Sequence, residues 1–277
     1  MDVKMQSVQV DGVDVQFVDE GSGPPLLLVH GFLVSHREWL SVLPTLATEY
    51  RCIVPDLPGF GASGKPAPSD GAPYGWLPYA RVLAALLDKL ELPKVHLAGH
   101  SMGGGIATTF AAEYPERVER LVVMDGCCFP FDPPLKAKPL LLPHVGQFLF
   151  NKLYKRSLFH DYFRNDVWSG HPGMDIELVD DYYRDFDKPD ARAAAYAVML
   201  KTVDPSDVAA RVPRVTAPTL ALWGGDDRIF PVAFGERLAR EMPNARLTVL
   251  EGVGHAPNEE RPAEAARLMI EHFQGRP

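Results

Sequence analysis

Apolar residues recur along this chain in two rhythms, and the alternation of those rhythms predicts its architecture. Residues 8–10 and 13–18 alternate apolar and polar around Asp11-Gly12, the pattern of a β-hairpin. Residues 26–29 are continuously apolar and stop at His30-Gly31, as a strand buried on both faces does. Residues 52–54, 95–98, 121–124, 219–223 and 247–250 read as further short strands. Between them lie stretches with helical spacing at 39–46, 76–90 (Leu83, Leu86, Leu87, Leu90), 104–113, 233–241 and 262–273. Strands alternating with helices predict an α/β domain with a mostly parallel sheet covered on both faces.

The rhythm breaks between about 127 and 213. That stretch is rich in proline (Pro130, Pro133, Pro134, Pro139, Pro143) and in aromatic residues, with short helices expected at 139–154, 175–186 and 190–202. It reads as an inserted helical lid (127–213) on a core built from 1–126 and 214–277. Most of its aromatics should fill the lid's own core, with a few facing an apolar pocket.

Length and composition narrow the picture. The chain has 277 residues, 46% of them hydrophobic, enough for one large domain with a sizeable core. Its 28 basic and 36 acidic residues leave a net charge of −8, and no Lys/Arg cluster stands out, which argues against nucleic acid and against anionic membrane surfaces as partners. Three cysteines, Cys52, Cys127 and Cys128, have neither disulfide-framework nor zinc spacing. No signal-peptide pattern opens the chain and no apolar run reaches membrane-spanning length, so a reducing cytoplasm and no stable membrane insertion are expected.

The chemistry concentrates in a few short motifs. Gly99-His100-Ser101-Met102-Gly103 follows an apolar strand and precedes a helix, the setting of a nucleophile elbow. The turn lifts the Ser101 hydroxyl off the sheet edge, and a Cβ at 99 or 103 would collide with the folded chain. A serine hydroxyl is a weak nucleophile until a base and an orienting carboxylate activate it. His255, on the loop Val253-Gly254-His255-Ala256-Pro257 after the last strand, is the expected base. His96 in a strand, His100 in the elbow and His272 on the last helix fit that role less well. Trp223-Gly224-Gly225-Asp226-Asp227 supplies the acid: Asp227 is the first choice, Asp226 its solvated neighbour, and Asp125, after the strand at 121–124, ranks third. The N–H groups of Met102 and of Phe32, on the loop after the first buried strand, are the expected oxyanion donors. His30 should brace that loop, and Arg37-Glu38-Trp39 should begin a helix.

These motifs, together with His30-Gly31-Phe32 and Asp56-Leu57-Pro58-Gly59-Phe60-Gly61-Ala62-Ser63, resemble those of the α/β-hydrolase superfamily, in its group of lid-bearing serine esterases and lipases. The resemblance runs from about residue 20 to the C-terminus and leaves the lid unassigned. It implies an eight-stranded, mostly parallel sheet. Serine rather than aspartate at 101 departs from related epoxide hydrolases and haloalkane dehalogenases, and the glycine-rich HGGG form of another esterase branch is absent.

The expected reaction is hydrolysis of an apolar, small-to-medium carboxylic ester through an acyl-enzyme, with no metal or organic cofactor. Hydrolysis of a carbon–carbon bond in a ring-cleavage diketone is the alternative, with Arg156, Arg164, Arg184 or Arg192 available to anchor a substrate carboxylate. Cofactor-free perhydrolysis is a further side activity of such a site. A non-catalytic receptor would have lost one of the three reactive side chains, and none is missing.

Overall fold

The computed structural model describes residues 3–276 apart from 70, 134, 136 and 143. Pro134 and Pro143, two of the prolines noted in the insertion, therefore lie outside the described residues. Eight strands form one sheet: β1 (Met5–Val10), β2 (Val13–Glu20), β3 (Pro25–Val29), β4 (Arg51–Pro55), β5 (Val95–His100), β6 (Val118–Met124), β7 (Thr219–Gly224) and β8 (Ala245–Leu250). Their order is β1-β2-β4-β3-β5-β6-β7-β8. β1 and β2 pair antiparallel, as do β2 and β4, and every later neighbour is parallel. Asp11 and Gly12 both take positive φ, 47° and 81°, the backbone of a type I′ turn that matches strand twist.

The period-two direction of side chains splits each central strand between two cores. Leu27, Val29, Ile53, Leu97, Val123 and Trp223 face one cluster. Leu26, Leu28, Val54, Ala98, Val122 and Leu222 face the other. The first is covered by α1 (Trp76–Lys89) and α2 (Met102–Glu113) through Leu83, Leu87, Ile106 and Phe110. The second is covered by Leu43 and Leu46 and, from the C-terminal helix Pro262–Phe273, by Ala266, Met269 and Phe273. Each fully buried leucine of this kind contributes about 1.5–3 kcal/mol.

The run expected to be one helix at 39–46 is two short pieces, a 3₁₀ turn at His36–Trp39 and a helical turn at Leu43–Leu46. Between β6 and β7 no described residue joins the sheet. Helices α3 (Arg156–Tyr162), α4 (Ile176–Phe186) and α5 (Pro189–Thr202) enclose Phe150, Phe159, Phe163 and Tyr182, so most of the aromatics do fill the insertion's own core. Phe159 stacks on Phe163 at 4.9 Å and Phe150 on Tyr154 at 5.5 Å. Asp175 starts α4 by accepting the N–H groups of Glu177 and Leu178.

A second helix expectation fails in the stretch between β6 and β7. The stretch 139–154 is not a single helix but a 3₁₀ turn (Lys138–Leu141), a helical turn (Val145–Phe148) and a π-helical turn (Leu149–Leu153). His144, at φ 61°, cannot propagate a right-handed helix and separates the first two pieces. The helix α3, which follows an extended Lys155, is not foreseen at all.

Candidate active site

The parallel strands deliver four loops to one edge of the sheet, where open α/β sheets bind their ligands. Ser101 follows β5, Asp227 follows β7, His255 follows β8 and Phe32 follows β3.

Ser101 takes φ 54° and ψ −118°, a conformation that costs a non-glycine residue roughly 1–3 kcal/mol. Its surroundings hold it there. Its N–H donates to the Met124 carbonyl at 2.9 Å, and its carbonyl accepts from Cys127 at 2.9 Å and Gly104 at 3.0 Å. A Cβ at Gly99 would stand 2.2 Å from the Gly103 carbonyl oxygen, and one at Gly103 would stand 2.2 Å from that of Val29. The collision expected at both positions is thus real.

The Ser101 hydroxyl lies 2.9 Å from His255 Nε2, and His255 Nδ1 lies 2.8 Å from Asp227 Oδ2. The carboxylate can only accept, so Nδ1 carries the proton and Nε2 is left to accept from the serine. Asp227 is buried, which alone would raise its pKa. The His255 charge and hydrogen bond, and the Phe230 and Ile229 N–H groups at 3.0 and 2.7 Å from Oδ1, outweigh burial and hold it below the ordinary carboxylate range. Asp226 is half-exposed and faces His171 Nε2 at 3.1 Å instead.

Asp125 reaches the same cluster. Among the described residues Asp125, Asp227 and His255 form the one trio of possible metal ligands, with atoms within 4.8 Å of one another. The geometry is that of proton chemistry. Asp227 and His255 bond each other, while Asp125 Oδ1 accepts the Gly224 N–H at 2.9 Å and the Asp125 carboxyl faces that of Asp227. Burial, and then the facing Asp227, push Asp125 well above the usual carboxylate range. A largely neutral acid beside an ionised one is the arrangement two close carboxyls adopt.

The N–H groups of Phe32 and Met102 make no hydrogen bond among the described residues. Gly31, between His30 and Phe32, sits so close to the elbow that a Cβ there would stand 3.3 Å from Ser101 Cβ. His30 braces the loop as expected, with Nδ1 2.8 Å from the Gly31 carbonyl and Nε2 accepting the Leu57 N–H at 2.9 Å.

Two features escape sequence reasoning. Glu38 is 1% exposed. Its Oε1 accepts the Gly31 N–H at 2.9 Å and its Oε2 lies 3.0 Å from His100 Nδ1. The other ring nitrogen, His100 Nε2, lies 2.6 Å from the His255 carbonyl oxygen. Both nitrogens face acceptors, so both must donate, and His100 is an imidazolium. Burial opposes that charge, but Glu38 outweighs it and raises the His100 pKa. One ion pair thus ties the Phe32 loop, the elbow and the His255 loop together. The second feature is the insertion's grip on the site. The His255 N–H donates to the Val167 carbonyl and the Ser169 hydroxyl to that of Asp226, both at 2.7 Å. Tyr182 and Trp168 donate to Glu259, at 2.7 and 3.3 Å, and His171 meets Glu260 at 2.9 Å. Spacing along a chain carries no trace of such contacts.

Cys127 and Cys128 lie beside the elbow, but burial pushes both thiols up, Cys128 to about 12, so neither competes as a nucleophile.

Comparison with known proteins identifies the family of the fold. The family model described as the alpha/beta hydrolase fold matches residues 24–262. A 2-hydroxy-6-oxononadienedioate/2-hydroxy-6-oxononatrienedioate hydrolase from Cupriavidus pinatubonensis is 32% identical over 268 residues, covering 93% of this chain and 89% of that one. A 2-hydroxy-6-oxo-2,4-heptadienoate hydrolase from Pseudomonas putida is 30% identical over 264 residues, covering 90% and 88%. Among solved structures, a thermophilic esterase from Thermogutta terrifontis superposes with a TM-score of 0.77 at 28% identity, covering 99% and 98%. The chain is a hydrolase and belongs to the alpha/beta hydrolase fold family.

Proposed function

We propose that the protein is a serine hydrolase that cleaves carboxylic esters of apolar, small-to-medium substrates through an acyl-enzyme. The observation that carries this reading is the unbroken hydrogen-bonded chain from Ser101 through His255 to Asp227, set beside two unengaged N–H groups. His255 Nε2 takes the serine proton as Oγ attacks the ester carbonyl. The Phe32 and Met102 N–H groups receive the oxyanion, aided by the positive end of α2. His255 then hands its proton to the leaving alcohol. Water, activated by the same imidazole, releases the acid and restores Ser101. Asp227 holds the tautomer and balances the imidazolium. In this reading residues 127–213 are a cap over a core of 1–126 and 214–277, and the small-molecule ester enters beneath it. Three free, buried thiols fit a cytoplasmic setting, which we assign to the protein.

The relatives that hydrolyse 2-hydroxy-6-oxo acids favour a second reading, carbon–carbon bond hydrolysis by the same three side chains. That reaction calls for a cation to hold the substrate carboxylate. Arg156 is bound to Asp180 and Arg184 to Asp181, both at exposed positions. Arg192 is buried, but its guanidinium is taken up by Asp187 and the Phe150 and Tyr154 carbonyls. Arg164 is exposed. None stands free in a buried site, so the ester reading ranks first.

A chain-length series of nitrophenyl esters, run beside a vinylogous diketone acid with Ser101→Ala as the blank, tests the order. Ester turnover that disappears in Ser101→Ala and exceeds diketone turnover is expected. Faster diketone turnover reverses the two readings, and ester hydrolysis undiminished in Ser101→Ala ends both.

A further inference from the structure

Exposed apolar side chains are not scattered over this molecule. Of the eight large hydrophobic residues exposed among the described residues, six lie within residues 135–158: Leu135, Leu142, Val145, Phe148, Leu153 and Leu158. Leu135 is 81% and Phe148 58% exposed. Concentration of this kind marks a surface that meets something else.

The same segment reverses the charge of the chain. Between Asp132 and Asp161 there is no acidic residue, while Lys136, Lys138, Lys152, Lys155 and Arg156 are basic. The rest of the chain holds 23 basic against 36 acidic residues, so the total of −8 conceals this local excess. Lys138 lies 3.0 Å from Asp132, and Arg156 is bound by Asp180. Lys152 and Lys155 are exposed and have no ion pair among the described residues.

The apolar and basic groups share one side of the helical run 145–153. Its inner side is closed. A Cβ at Gly146 would stand 1.9 Å from the Leu140 carbonyl oxygen, and Phe150 packs edge-on to Phe186 at 5.4 Å. Val145, Phe148 and Lys152, spaced i, i+3 and i+7, are left on the outer side.

We infer that the exposed side chains of Leu135, Leu142, Val145, Phe148, Leu153 and Leu158 dock on an anionic phospholipid surface, entering its headgroup boundary while Lys152 and Lys155 meet lipid phosphates. Apolar residues edged by unpaired lysines are the complement of such a surface. A second copy of this chain fits less well, because a two-fold contact through this face would set Lys152 and Lys155 against themselves. Nucleic acid would leave the exposed apolar side chains unburied. No helix among the described residues is long and apolar enough to cross a membrane, so the contact is peripheral. The inference goes beyond the ester reading, and its test reads binding rather than turnover.

The test is flotation of the full chain with vesicles of phosphatidylcholine alone, or with about 30% phosphatidylglycerol added. Wild type is expected to float with the anionic vesicles only, and to be released at about 1 M salt, where charges are screened beyond about 3 Å. Lys152→Gln/Lys155→Gln, and separately Leu142→Ser/Phe148→Ser, should weaken binding about tenfold or more. Both variants should keep the wild-type thermal melt and soluble-ester turnover. No binding to anionic vesicles, equal binding to both kinds, or a lysine variant that floats like wild type overturns the inference. So does a wild-type dimer in solution that Leu142→Ser/Phe148→Ser converts to monomer, since the face would then be a self-contact.

Discussion

Two carboxyl groups within reach of one imidazole are driven to different states while a third turns away, and single residues can be tested accordingly. Asp227 is ionised by its hydrogen bonds, Asp125 is driven toward the neutral form, and Asp226 turns outward to His171. Asp227→Asn should lower kcat by about 10⁴ because the imidazole loses its orienting acceptor. Asp125→Asn mimics the form that burial and the facing Asp227 favour, and should stay within a few-fold of wild type in the same steady-state assay. The opposite pattern would transfer the orienting role to Asp125. The sequence already marks Ser101, His255 and Asp227, because each stands in a glycine-flanked loop directly after a strand. Glu38 carries no such mark. It looks like the start of a helix, and only the meeting of three loops that lie far apart in the chain makes it an anchor.

At the scale of elements, the clearest forecasts come from strands whose whole length is buried. β3 and β7 and the 121–124 end of β6 are buried and apolar on both faces, so their rhythm survives in the sequence. The insertion is harder to read. Pieces of 3₁₀, α and π geometry follow one another between 138 and 153, and their apolar spacing imitates one long helix. The Glu38–His100 ion pair is the element-scale joint between the elbow, the β3 loop and the His255 loop. Glu38→Gln can still accept the Gly31 N–H but leaves the imidazolium unpaired. Breaking a buried pair on one side costs about 3–5 kcal/mol, so a clear drop in melting temperature is expected. The kcat should fall with little change in KM, since the joint aligns the oxyanion donors and the base rather than binding substrate. An unchanged melt and kcat would show the pair to be dispensable.

Across the whole molecule, the insertion and the core are latched through Glu259. Burial raises its pKa from 4.5 to about 7, against the opposing pull of the Tyr182 and Trp168 hydrogen bonds. Because the folded value lies above the unfolded one, the native state holds the extra proton between about pH 4.5 and 7. This group's stabilisation is therefore complete below about pH 4.5 and is lost as pH rises through about 7. Glu259→Gln should flatten that slope. Thermal melts at pH 5 and pH 8 should differ less in the variant than in wild type, by roughly 1–3 kcal/mol of unfolding free energy. Identical slopes would mean that Glu259 titrates normally. Whole-chain charge proved the least informative number for this molecule, because an acidic total hides the basic, apolar face at 135–158.

The most direct test of the central claim, that Ser101 is the activated nucleophile, is intact-mass analysis after exposure to a fluorophosphonate or a sulfonyl fluoride. The account predicts a single covalent adduct on the wild-type protein and none on Ser101→Ala. No adduct on wild type, or an equal one on Ser101→Ala, would contradict it.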